Sequence, residues 1–212
     1  MTLRNALIIL TNALLAGIMI GIAGTVYLAV PNEIAGALFF AFGLMTILCF
    51  GFKLYTGAIG YLMTQQKSDA GRYLLTLFLI WIGNFAGCFL VGSLIRMSRT
   101  FGKISARVEQ ICQVKMADDP ASILILAIFC GLLMYLGVES YRRENLPPVF
   151  RFAAVFLCVA IFILSGFEHC IANMYYFSAA GVWSGKTLAL IALMTLGNSI
   201  GSWIVPLGAK VR

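Results

Sequence analysis

Four stretches of the chain contain no charged residue: 5–32, 73–95, 120–138 and 187–209, each 19 to 28 residues long. A helix rises about 1.5 Å per residue and the hydrocarbon core of a bilayer is about 30 Å thick, so each stretch can cross it once. Two further stretches, 34–66 and 152–185, run for 33 and 34 residues and are broken only by Lys53 and by Glu168. They exceed one straight span of about 20 residues, yet two spans and a turn need more than about 40. Each therefore predicts one span made of two half-helices joined by irregular backbone. The expected fold is all-α and integral to the membrane, with six transmembrane helices of which the second and fifth are broken. Composition agrees: of 212 residues, 61% are hydrophobic and 11% charged, against about 45–50% and about 25% in soluble domains. That excludes a water-soluble enzyme, a disordered tail and a nucleic-acid-binding module, despite the net charge of +7. The first apolar run is long enough to span and lacks a small-residue cleavage site, so it reads as a span and not as a cleaved signal peptide. The six cysteines form no CxxC pair, which suggests neither a disulfide framework nor a zinc site, and no cofactor or metal is expected.

The two halves repeat. Gly51-Phe52-Lys53 recurs 115 positions later as Gly166-Phe167-Glu168, and Gly83-Asn84-Phe85-Ala86-Gly87 recurs 114 positions later as Gly197-Asn198-Ser199-Ile200-Gly201. Nearly one offset for both matches argues for a duplicated three-span unit within a single transport domain, 1–212. Repeat 1 covers about 3–97, an outer loop about 98–118, and repeat 2 about 119–210. An odd number of spans per unit places the second copy upside down, an inverted 3+3 repeat. Interrupted spans at matching positions of such halves point to a transport site near the bilayer midplane. With the termini inside, the cytoplasmic segments hold eight Lys and Arg (Arg4, Lys67, Arg72, Arg142, Arg143, Arg151, Lys210, Arg212) against six outside, so the positive-inside rule favours cytoplasmic termini. Five of those six outer cations (Arg96, Arg99, Lys103, Arg107, Lys115) fall in segment 96–118. That segment is either a funnel concentrating anions or a solvated amphipathic loop helix, and the second reading is preferred.

Irregular backbone survives inside a bilayer only where protein or a water-filled cavity satisfies its polar groups. In the first broken segment Gly51 permits unusual dihedrals. Thr56 is expected to cap a half-helix beginning at Gly57, and the second half-helix is expected to start near Cys170. Their positive ends would converge on one cavity, which favours a small anion. His169 is the only histidine, and an ionisable residue at membrane depth is read as functional. It could donate a hydrogen bond or a proton to an anion, or simply bridge the two loops through Thr56. Lys53 and Glu168 could pair with one another, hold separate loop carbonyls, or, for Lys53, attract substrate directly. Glu139, beside Arg142 and Arg143, reads as interfacial. Asn84 and Asn198 are expected to bond to the loop backbones while the neighbouring glycines allow close helix packing. Phe40, Leu44 and Phe162 could form dry constrictions or ordinary packing.

These residues resemble the formate/nitrite transporter family. Ser165-Gly166-Phe167-Glu168-His169-Cys170-Ile171-Ala172-Asn173-Met174 is similar to the family's fifth-span motif. Gly51–Gly57 resembles its second-span Ω-loop motif, and Gly197–Gly201 its sixth-span motif. The resemblance implies an aquaporin-like protomer, a homopentamer with one pore per protomer, and small monovalent anions (formate, nitrite or hydrosulfide) as substrates. It also implies an outer constriction at Phe40 and Phe162, an inner one at Leu44 and Leu54, and Thr56 with His169 between them. Asn173, within the same motif, is taken with Lys53 and Glu168 as a pore residue. The chain departs from the pattern at Lys53, where the family carries an acid, at Tyr55, where it carries Phe, and at Gly131, where it carries Asn. The family's N-terminal amphipathic helix is also expected to be missing.

The expected function is a channel or proton-coupled transporter for small monovalent anions in the inner or plasma membrane, lying in the lipid bilayer with both termini cytoplasmic. His169 would be proton donor or relay, Thr56 its partner and Lys53 an attractor. The alternative is an aquaporin-type pore for neutral solutes, although neither broken segment carries Asn-Pro-Ala. A membrane enzyme using Glu168 and His169 lacks any accompanying nucleophile or metal cluster.

Overall fold

The computed structural model describes residues 1–210, so Arg212 lies outside the described residues. Helix α1 (Leu3–Ala29) is followed by α2 (Glu33–Phe50), a loop, the single turn α3 (Tyr55–Ala58) and a 3₁₀ helix, Ile59–Thr64. Then come α4 (Lys67–Arg96), α5 (Phe101–Ala117), α6 (Pro120–Arg142), α7 (Pro148–Leu164), α8 (Cys170–Ala180) and α9 (Gly185–Ala209). Five of these (α1, α2, α4, α6 and α9) are apolar helices of 18 to 30 residues, and α7 is an apolar helix of 17. Their outward faces carry exposed Phe39, Phe42, Phe78, Leu157 and Ile161 among many others, a surface suited to lipid and not to water. The starts follow the local chemistry of capping: Asn32 accepts from Ala35 N–H, Asp119 from Ala121 N–H, and Ser184 forms a capping box with Thr187.

Both predicted breaks are present and are built alike. Helix α2 ends on Gly51 at φ 70°, and α7 runs into Gly166 at φ 68°. These left-handed conformations suit glycine because it has no Cβ. The Phe52 N–H then reaches back to Ile47 O at 2.9 Å and the Phe167 N–H to Phe162 O at 2.9 Å, a six-residue C-terminal lock in each copy. The repeat extends into the packing. Helix α1 packs on α4 as α6 packs on α9, α1 on α2 as α6 on α7, and α2 meets α7 across the centre. A Cβ at Gly87 would strike the carbonyl of Leu14, and one at Gly201 that of Ile128. The glycines thus set the closest helix approaches at equivalent places.

The two half-helices differ. Helix α8 starts at Cys170 as expected and runs for 11 residues, with the His169 side chain accepting from Ala172 N–H. The expectation for the first half-helix is corrected. It begins at Tyr55, not Gly57, and its N-cap is Leu54, which has no side-chain acceptor. Thr56 lies inside the turn, and its hydroxyl is used elsewhere. Without a cap the helix holds one α turn and tightens into 3₁₀ geometry.

Segment 96–118 is also more than a solvated loop helix. Helix α5 packs on α8 and α1 through buried Ile104, Val108 and Cys112.

Candidate functional site

Each loop between half-helices is held by one buried asparagine from the following long helix. Asn84 Nδ2 donates to Ala13 O and Lys53 O, both at 2.8 Å, and its Oδ1 accepts from Tyr55 N–H at 2.9 Å. Asn198 Nδ2 donates to Ala127 O at 2.8 Å and Glu168 O at 2.7 Å, and its Oδ1 accepts from Cys170 N–H at 2.9 Å. The Lys53 N–H bonds to Asn12 O and the Glu168 N–H to Leu126 O. The irregular backbone is thereby satisfied internally, as a low-dielectric setting requires. The register pairs Lys53 with Glu168 and, one residue on, Leu54 with His169. The two N-cap positions therefore carry an apolar side chain in one copy and an imidazole in the other.

That imidazole closes the centre. His169 is 2% exposed and Thr56 fully buried, and Thr56 Oγ1 lies 2.8 Å from His169 Nε2. His169 Nδ1 accepts from Ala172 N–H at 3.0 Å. A nitrogen that accepts cannot also carry the ring proton, so the proton sits on Nε2 and is donated to Thr56 Oγ1. The Thr56 hydroxyl hydrogen is left to point elsewhere.

Two cavities approach this pair from opposite sides. One, of about 320 Å³, opens on the side of the chain termini; its lining includes Leu44, Leu54, Lys53, Tyr61, Tyr73 and Arg142. The other, of about 350 Å³, opens on the side of the α4–α6 linker; its lining includes Phe162, Glu168, His169, Asn173, Arg107 and Lys115. Apolar side chains separate them. Phe40 meets Phe162 edge-on at 5.9 Å between ring centres, and the Phe162 ring lies 5.5 Å from that of His169. Phe40, Leu44, Leu54 and Phe162 are each at most 4% exposed. The structure therefore links Phe40, Phe162, His169 and Thr56 by direct contact, sets Leu44, Leu54 and Lys53 on the termini-side cavity wall, and sets Glu168 and Asn173 on the linker-side wall.

Glu168 does not pair with Lys53. Lys115 Nζ lies 2.7 and 2.6 Å from its two carboxylate oxygens, and Asn173 Nδ2 donates to Glu168 Oε2 at 2.8 Å. Lys115 comes from the very segment read as a solvated loop, and its partnership was missed. A signal exists: Arg107, Gln110, Ile111, Val114, Lys115 and Asp118 line the linker-side cavity in the i, i+3, i+4, i+7, i+8, i+11 pattern of one helical face. The Asn173 Oδ1 atom is buried without a partner among the described residues. Glu139 accepts from the Tyr61 hydroxyl at 2.8 Å and lies 3.5 Å from Arg143, consistent with an interfacial place beside the termini-side cavity.

Comparison with known proteins agrees in fold and in sequence. The structure superposes on a chain described as a pentameric formate channel with formate bound, with a TM-score of 0.83, 23% identity and coverage of 100% of this chain and 98% of that one. An FNT family ion channel gives a TM-score of 0.82 at 23% identity, covering 98% and 91%. Among relatives, formate channel FocB of Escherichia coli K12 is 27% identical over 81% of this chain and 66% of its own length. Nitrite transporter NirC of the same organism is 25% identical over 76% and 60%. The formate-nitrite transporter of Plasmodium falciparum is 26% identical over 93% and 74%. The matches to these two bacterial relatives thus span 66% and 60% of their length. These relatives are named as channels and transporters, not enzymes. The Formate/nitrite transporter family profile matches residues 2–210, so this integral membrane chain belongs to the formate/nitrite transporter family.

Proposed function

We propose that the chain, acting as one transport domain, is a pore for small monovalent anions of the formate, nitrite or hydrosulfide class. The observation that carries the reading is the buried Thr56–His169 hydrogen bond where two broken spans meet. A bare anion in an apolar constriction costs many kcal/mol, so a group that shares or gives a proton at that point lowers the barrier. The Thr56 hydroxyl hydrogen is the free donor for a substrate oxygen or sulfur, and His169 Nε2–H becomes a second one when substrate takes the place of Thr56 Oγ1. Because Nδ1 is engaged by Ala172, His169 acts first as a hydrogen-bond donor; proton transfer would draw on a proton from the vestibule. Phe40 with Phe162, and Leu44 with Leu54, exclude water and hydrated ions on either side. Lys53 attracts anions to the termini-side mouth. Glu168, paired with Lys115 and bonded to Asn173, holds the linker-side loop. The unpartnered Asn173 Oδ1 is an acceptor for a protonated substrate or a water accompanying it.

The same reading takes the assembly as a homopentamer with one pore per chain, lying in the plasma or inner membrane with both termini cytoplasmic. The pentameric description of the structural neighbour and the distribution of Lys and Arg support it. A flux assay in proteoliposomes, comparing formate, nitrite, hydrosulfide, lactate and chloride at two external pH values, tests the assignment. Formate, nitrite or hydrosulfide is expected to cross far faster than chloride; equal passage of glycerol and formate would instead indicate a neutral-solute pore.

A further inference from the structure

One repeat position carries Lys53 in the first copy and Glu168 in the second, and the two cavities treat these charges differently. On the linker side the basic groups are occupied. Lys115 holds both Glu168 oxygens. Arg107 donates to the carbonyls of Tyr27 and Val30 at 2.9 and 2.8 Å and lies over the Tyr27 ring. Glu33 and Asp118 share that wall. Among the described residues the termini-side cavity is lined by Lys53 and Arg142 and by no acidic residue. The backbone of Lys53 is clamped, but its ammonium is exposed and makes no hydrogen bond or ion pair among the described residues. Arg142 rests on the Tyr61 ring at 4.5 Å, also without an ion pair there. Glu139, one helical turn earlier, is taken by Tyr61 and Arg143.

Two cations without an ion pair on the wall of a largely apolar cavity concentrate anions. We propose that Lys53 and Arg142 form a capture site for small oxyanions and carboxylates on the termini side, with no counterpart on the linker side. This rests on the anion pore proposed above and adds a direction to it. A monovalent anion captured there stands against Leu44 and Leu54 and passes on. A doubly charged oxyanion is held more strongly at the same place and is stopped by the same apolar ring. It therefore blocks from one face only.

Right-side-out and inverted membrane vesicles, oriented by protease access to a C-terminal tag, separate the two faces. Uptake of labelled formate is measured with sulfate in the outer medium, balanced by gluconate. Sulfate is expected to inhibit at a concentration about fivefold lower when the termini face outward, the scale of one additional charge near a solvated cation. Lys53→Met is expected to equalise the faces and Lys53→Arg to keep them unequal. The proposal is overturned by equal sulfate potency on both faces of the wild type, or by an inequality that survives Lys53→Met, where wild-type uptake is abolished by His169→Phe. Uptake that His169→Phe leaves intact in both vesicle types would instead remove the pore reading beneath it.

Discussion

Two hydrogen bonds decide what His169 can do. The Ala172 amide occupies Nδ1 at 3.0 Å and Thr56 Oγ1 receives Nε2–H at 2.8 Å. Protonating Nδ1 would set N–H against N–H and open the first turn of α8, so the folded helix itself favours the singly protonated ring. Thr56→Val removes the acceptor and the second donor while keeping the shape. It is expected to lower formate flux about tenfold or more, the scale of a buried hydrogen bond left unmade, while Thr56→Ser retains most of it; unchanged flux in the valine variant would detach Thr56 from transport. Lys115→Met leaves Glu168 buried without its counter-ion, and a cost of about 3–5 kcal/mol is expected. A thermal midpoint in detergent equal to that of the wild type would contradict it. At this scale the sequence was partly legible. His169 and Thr56 stood out because polar groups are rare in apolar runs. Lys115 did not, because it lies 53 residues from Glu168 in a segment whose charges look solvated.

At the scale of elements, the spans, their breaks and the asparagine clamps could all be read from the chain, since hydropathy and repeat spacing are local signals. The start of α3 could not. Thr56 is a good cap by residue type, but its hydroxyl is used by a histidine 113 residues away, and the cap position falls on Leu54. Tertiary demand overrides local capping preference there. The clamps give a prediction at this scale. Asn198→Ala removes three hydrogen bonds and strands the carbonyls of Ala127 and Glu168 and the Cys170 amide. A loss of about 2–4 kcal/mol is expected, read as a lower thermal midpoint, with Asn84→Ala behaving alike because its three bonds are equivalent. Gly201→Ala drives a methyl into the Ile128 carbonyl, and separation of α6 from α9 is expected to reduce the yield of folded protein. Normal yield and stability for Gly201→Ala would mean that the close approach is not required.

For the whole molecule, the inverted repeat explains why the two cavities meet head to head, and the exceptions to the repeat explain what the pore can do. Leu54 opposite His169, and Lys53 opposite Glu168, turn a nearly symmetric scaffold into one with a single hydrogen-bonding centre and two unlike mouths. The exposed apolar surface of α1, α2, α4 and α7 is shared between lipid and neighbouring chains in the proposed assembly. Native mass spectrometry is expected to give five copies of the 23.1 kDa chain; a monomer or trimer would contradict the pentamer. In the proposed pore, anions cross at the Thr56–His169 pair. Formate flux into proteoliposomes containing equal amounts of folded wild type and His169→Phe reads this directly. Saturable flux in the wild type with loss to the liposome background in the variant is the expected result, and flux that persists in His169→Phe at the wild-type rate would contradict it.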